Sequence, residues 1–194
     1  MIAGGVSPIG WLWTTRTASS VLLFWILFRP ARHCVARMSG WRWITGRGRC
    51  LRNRSRSPER LIMADPEIVV DDALGGWGSD RASFPPQVRA AYIEALRDAA
   101  TVHAICEEYR AAATIDFARD MKDRDAGRRI LCPVLALWSK GSGLDNWYED
   151  DGGPLGIWGD WAVDVTGRAI SGGHFFPEQS SAETISQLRS FFGR

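Results

Sequence analysis

The chain has 194 residues, 45% of them hydrophobic, and a formal net charge of +2, enough for one domain with a real core. The small net charge conceals two kinds of polypeptide: residues 1–60 carry eleven arginines, no lysine and one acid, Glu59, a balance of +10, whereas residues 61–194 carry 13 basic and 21 acidic residues, a balance of −8. Cys34, Cys50, Cys106 and Cys132 include no CxxC spacing and no Cys/His cluster, so no metal site is expected.

Residues 1–57 form an atypical Arg/Trp-rich segment that is expected to be largely irregular. Three readings fit it. Ser20–Phe28 reads as the apolar part of a targeting segment, but the run Val21–Phe28 is far shorter than the roughly 20 residues that span a bilayer. Arg42–Arg60 reads as a basic arm able to contact phosphates, with Trp41 and Trp43 able to stack on bases. The third reading, which we favour, is that arginine, tryptophan, glycine and serine without lysine reflect GC-rich DNA translated in a wrong frame. No membrane span and no nucleic-acid partner is therefore expected.

From residue 58 the character changes, and two parts are expected: a helical stretch over 58–120 and an α/β core over 121–194. In "SFPPQVRAAYIEALRDAA", Ser83, Pro85 and Pro86 supply start signals. Val88, Ala91, Tyr92, Ala95, Leu96 and Ala99 then predict one buried stripe. "TVHAICEEYRAAATIDF" predicts a second helix with Val102, Ile105, Cys106, Tyr109 and Ala113 inward. "ILCPVLALW", residues 130–138, is a continuous apolar run and reads as a fully buried parallel strand. "PLGIWGDWAVDV" predicts a helix with Leu155, Trp158, Ala162 and Val165 on one face.

"TGRAISGG" reads as a short strand that delivers His174, and Ser180 with Glu183 forms a capping-box pattern before the stripe Ile185, Leu188, Phe191, Phe192. Alternating strands and helices predict a parallel α/β sheet. Catalytic groups of such sheets lie in loops beyond the carboxyl ends of strands. His174 in "SGGHFFPE" is so placed, behind two glycines that permit a sharp turn. A histidine beside glycines is commonly structural, however, and Tyr109 on an apolar stripe is commonly a core residue. Trp138, Trp147, Trp158 and Trp161 read as packing residues, and Glu149–Asp151 as a solvated turn.

"PVLALW", the "IWGDWAVDV" stretch and "GGHFFPEQSSAETISQLRSFF" resemble the end of an α/β-hydrolase. Together with "CEEYRAAATIDFARD" and "PERLIMADPE" they are similar to the haloacetate (fluoroacetate) dehalogenases, from about Pro58 to the C-terminus. The resemblance implies the C-terminal part of an α/β-hydrolase fold, parallel strands flanked by helices, with a helical cap remnant. It implies a hydrolase that breaks the carbon–halogen bond of a small 2-haloacid through an aspartyl ester. His174 is then the general base that activates water, Tyr109 donates a hydrogen bond to the leaving halide, and Trp77 lines the same pocket. It implies no cofactor, a cytoplasmic location, and compatibility with a homodimer.

The HDRGxR-like turn that carries the family's nucleophilic aspartate occurs nowhere in the sequence. The chain is accordingly expected to be inactive alone. Asp145 is an alternative for the triad acid. An epoxide or ester hydrolase with a similar histidine loop, and a non-enzymatic fragment with a basic arm, are the competing readings.

Overall fold

The structure is a computed structural model that describes residues 55–76, 78–112, 114–146 and 148–193, and the backbone of 22–25. Its described residues divide into two compact units: 55–70 with 87–127, and 22–25 with 71–86 and 128–193.

The first unit is helical. Helix α1 spans Ser57–Ala64, with Pro58 in its first turn where a missing N–H costs nothing. The unit also contains residues 66–70 of helix α2 (Pro66–Leu74), 87–97 of α3 (Pro86–Arg97), α4 Ala99–Ala112 and α5 Ile115–Asp125. Val102 and Cys106 of α4 are fully buried and pack with Ile62 of α1, with Leu96 of α3 against them. Their i, i+4 spacing puts both on one face of α4. Burying side chains of this size contributes about 1.5–3 kcal/mol each.

The face of α3 differs from the expected stripe. Ile93 is buried and Arg89, Tyr92 and Leu96 are half-buried, while Ala91 and Ala95 are exposed. The pattern allowed two registers, and the one chosen removes a large isoleucine from water in place of alanine methyls. In α4, Val102 and Cys106 are buried and Ile105 and Tyr109 half-buried, as the spacing predicts. Ala113 lies outside the described residues.

The second unit is built on a parallel three-stranded sheet of order β1-β2-β3. The strands are β1 Leu22–Trp25, β2 Val134–Ser139 and β3 Val165–Ile170. Leu22 pairs with Val134, and Val134 with Val165, through to Ser139 with Ile170. The segment expected to be irregular thus supplies a strand over Leu22–Trp25; the rest of residues 1–54, and with it the basic-arm reading of Trp41 and Trp43, lies outside the described residues.

All six residues of β2 are buried and the strand pairs in parallel on both sides, as the fully buried parallel-strand reading expects. The strand starts later than the apolar run because Pro133 has no N–H to donate to a ladder. Ile130 instead makes a separate bridge with Ala162, and Leu131 is exposed. Leu135 and Leu137, two apart and so on one face, pack with Ile170, Phe176 and Phe191, flanked by Leu188.

Four helices complete the unit: α6 Gly143–Asn146, α7 Gly153–Gly159, α8 Phe176–Gln179 and α9 Ser181–Phe192. Helix α7 does not run to Val165. Gly156 and Gly159 weaken it, Arg129 donates to the Gly159 carbonyl at its end, and Val134 N–H draws Asp164 O into the ladder at 2.9 Å. On α9 the buried residues are Thr184 and Phe191, with Ile185 and Phe192 exposed.

The capping box does not form, since the Ser180 hydroxyl makes no cap bond. Glu183 turns away instead, accepting from Ser171 N–H at 3.4 Å and pairing with Arg168 at 3.6 Å. Trp138, Trp158 and Trp161 are buried, Glu149–Asp151 is exposed, and Trp147 lies outside the described residues.

Candidate active site

Strand β3 ends at Ile170 and hands the chain to Ser171-Gly172-Gly173-His174. The two glycines are required for different reasons. Gly172 has φ +106°, a conformation that L side chains avoid. At Gly173 the reason is space, because a Cβ would overlap Ser79 Oγ and the Gly78 backbone. The turn is held from several directions. Lys140 N–H donates to Ile170 O at 2.8 Å, and Ser139 Oγ, at the carboxyl end of β2, donates to Gly172 O at 2.7 Å. Gln179 Oε1 accepts from Gly173 N–H at 2.9 Å.

The aromatic residues after the histidine anchor the turn. Phe176 is buried in the sheet core. Phe175 stands edge-on to Phe84, with centroids 5.7 Å apart, and His174 stands edge-on to Phe175 at 5.1 Å. His174 is half-buried, and burial lowers its pKa below the ordinary 6.5. The imidazole is therefore mainly neutral at pH 7, which is the form that accepts a proton.

Asp145 accepts from Gly141 N–H at 2.8 Å and from Trp138 Nε1–H at 2.7 Å. The Gly141 amide, then the Trp138 indole, hold its carboxyl below the usual carboxylate range. These contacts close the turn after β2. In the same unit a hollow of about 500 Å3 is lined by Asp71, Asp72, Gly75, Ser79, Asp80, Arg81 and Ala82. Arg81 pairs with Asp71 there at 3.1 Å, and neither His174 nor Asp145 lines it.

In the first unit Tyr109 is half-buried on α4. Desolvation, with the nearby Glu108 charge, pushes its pKa above the ordinary 10.0, so the phenol keeps its proton. One residue on, Arg110 makes a two-pronged pair with Glu59 at 2.8 and 3.1 Å and also meets Glu107 at 2.6 Å. His103 Nδ1 lies 3.2 Å from Glu59. The Arg110 hydrogen bonds, ahead of the opposing effect of burial, bring Glu59 down to about 2.

Glu59, His103 and Glu107 hold ligand-type atoms within 4.8 Å of one another. The Arg110 guanidinium already supplies the positive charge among them, and a metal ion would have to sit against it. Sequence reading missed this pair and the Gln179 contacts. Trp77 lies outside the described residues.

These features are those of an α/β-hydrolase segment: parallel strands flanked by helices, and a half-buried histidine in a loop beyond a strand's carboxyl end. No protein-family model matches the chain. A fluoroacetate dehalogenase from Burkholderia sp is 30% identical over 168 residues, 86% of this chain and 51% of the relative.

Two solved structures superpose with TM-scores of 0.76 at 33% identity: an α/β-hydrolase candidate from Nostoc sp PCC 7120 and a variant of an epoxide-hydrolase candidate from Pseudomonas aeruginosa holding MFA. Each match covers 89% of this chain, and 56% and 57% of the respective neighbour. The described residues have the fold of the C-terminal part of an α/β-hydrolase. The chain is a homologue of that fluoroacetate dehalogenase and spans about half of its length.

Proposed function

We propose that the chain carries the water-activating part of haloacetate dehalogenase chemistry, acting on a small 2-haloacid. In that reaction a carboxylate oxygen attacks the carbon bearing the halogen, and the halide leaves with the bonding pair. His174 then takes a proton from water, and the oxygen so activated attacks the ester carbonyl. The acyl–oxygen bond breaks, which releases the 2-hydroxy acid and restores the carboxylate. By the resemblance, Tyr109, protonated, supplies the hydrogen bond to the departing halide, a role in which a donor stabilises an emerging anion. Trp77 follows from the resemblance alone.

The observation that carries the reading is His174 itself: half-buried, kept neutral by desolvation, and held on a glycine turn beyond β3. Base catalysis by this group rises with pH through an inflection below 6.5 and then levels, because only the neutral ring accepts a proton. Epoxide hydrolysis is the second reading, favoured by the Pseudomonas aeruginosa neighbour, which shares 33% identity. A cytoplasmic location belongs to the dehalogenase reading and follows from the resemblance. Among the described residues no helix is long and apolar enough to cross a membrane.

The nucleophile's HDRGxR-like turn is absent from the 194 residues. The purified chain is therefore expected to release fluoride from fluoroacetate, or chloride from chloroacetate, at the rate of buffer. An ion-selective electrode measures this, and sustained turnover above buffer contradicts it.

A further inference from the structure

We propose that Gln179 is the positioning residue of the His174 loop, its side-chain amide tying that loop to the segment 79–83 of the same unit. The inference rests on reading His174 as the base. Gln179 closes the four-residue helix α8, which starts two residues after His174. Its Oε1 accepts from Gly173 N–H at 2.9 Å and from Ser79 Oγ at 3.2 Å. Its Nε2 donates to Ser83 Oγ at 3.1 Å, and that hydroxyl donates in turn to Asp80 O. One side chain therefore uses both ends of its amide, and its partners lie on the loop and on a segment 96–100 residues earlier.

The chemistry singles out glutamine. A carbonyl oxygen has two lone pairs for two donors, while the NH2 serves the serine hydroxyl. Gly173 is buried, so its N–H has no water to turn to if that acceptor is lost. Gly173 is also bonded directly to His174, so freedom at its amide becomes freedom of the imidazole. The close approach of Gly173 to Gly78 and Ser79, and the edge-on ring of Phe84 against Phe175, leave the loop seated on this segment at several points. Gln179 is the side chain that bridges the two by hydrogen bonds.

The test uses the full chain, labelled with 15N, and needs no turnover. Gln179→Ala is expected to speed amide exchange at Gly173 by about tenfold or more while Leu188 and Arg189 of α9 stay within about twofold. The His174 Cε1–H resonance shifts in the same variant. Gln179→Glu keeps an acceptor for Gly173 N–H and is expected to restore most of the protection. Unchanged exchange at Gly173 in Gln179→Ala overturns the proposal. So does equal loss in both variants, or unfolding of both, since either marks a role in the whole unit and not in the loop. If His174 is not the base, the exchange result stands unaltered and only activity measurements reveal it.

Discussion

Glu59→Gln is expected to destabilise the first unit by about 1–3 kcal/mol, the cost of weakening the charge-assisted hydrogen bonds of a largely enclosed pair. The pair qualifies because the side chains of Glu59 and Arg110 are only 9% and 13% exposed. It also ties α1 to α4 across 51 residues of sequence. Glu107 still faces Arg110 in the variant, but that carboxylate is 54% exposed and screened, so the lower end of the range is the expected value. Adding Arg110→Met removes the stranded charge and should recover much of the loss.

Amide exchange on α4 reads the effect locally; exchange within a factor of about three of the parent contradicts it. The pH dependence has a definite sign. Glu59 goes from an unfolded 4.5 to about 2, so its contribution is complete above 4.5 and disappears as pH falls through about 2. The variant should lack that acid-dependent step.

Gly167→Ala is expected to separate β3 from β2 at a cost of roughly 3 kcal/mol or more, the upper end for overfilling a packed site. The added Cβ would overlap Ala136 O, lie 2.7 Å from Ala136 C and 3.1 Å from its Cα. All three are backbone atoms of the central strand, so no side-chain rotation relieves the clash. The register that pairs Ala136 with Gly167 has to yield. Gly159→Ala is the matched control: nothing lies within 4 Å of its Cβ and the position ends a helix, so stability should stay level or rise by up to about 1 kcal/mol. Denaturant midpoints compare the two variants, and equal midpoints refute the steric account.

What was legible in the sequence depended on whether the signal was local. The fully apolar "VLALW" marked a buried strand because both faces of a parallel strand are covered, and every residue of β2 is buried. The glycine pair marked the turn before His174, and Gly172 does carry a positive φ. Val102 and Cys106 marked the inner face of α4.

Other features turned on partners distant in sequence. The face of α3 was set by competition between Ile93 and the alanines, which periodicity weighs equally. Helix α7 stops early because the sheet claims Asp164 and Val165. Glu183 has a capping spacing but serves Ser171 and Arg168. Gln179 and Glu59 had no local signature, since their partners lie 44 to 100 residues away, apart from Gly173 beside Gln179's own helix. For His174 and Tyr109, spacing offered only a loop histidine and a half-buried tyrosine; their proposed roles came from resemblance.

The role of His174 is tested most directly in a chimera that joins residues 58–194 to the N-terminal half of the Burkholderia fluoroacetate dehalogenase. Fluoride release from fluoroacetate is followed over many turnovers, with and without His174→Gln. The account predicts that the substitution lowers steady-state release by about a hundredfold or more, while intact-mass spectrometry finds the covalent ester trapped after one turnover. Undiminished steady-state release with no trapped ester would contradict it.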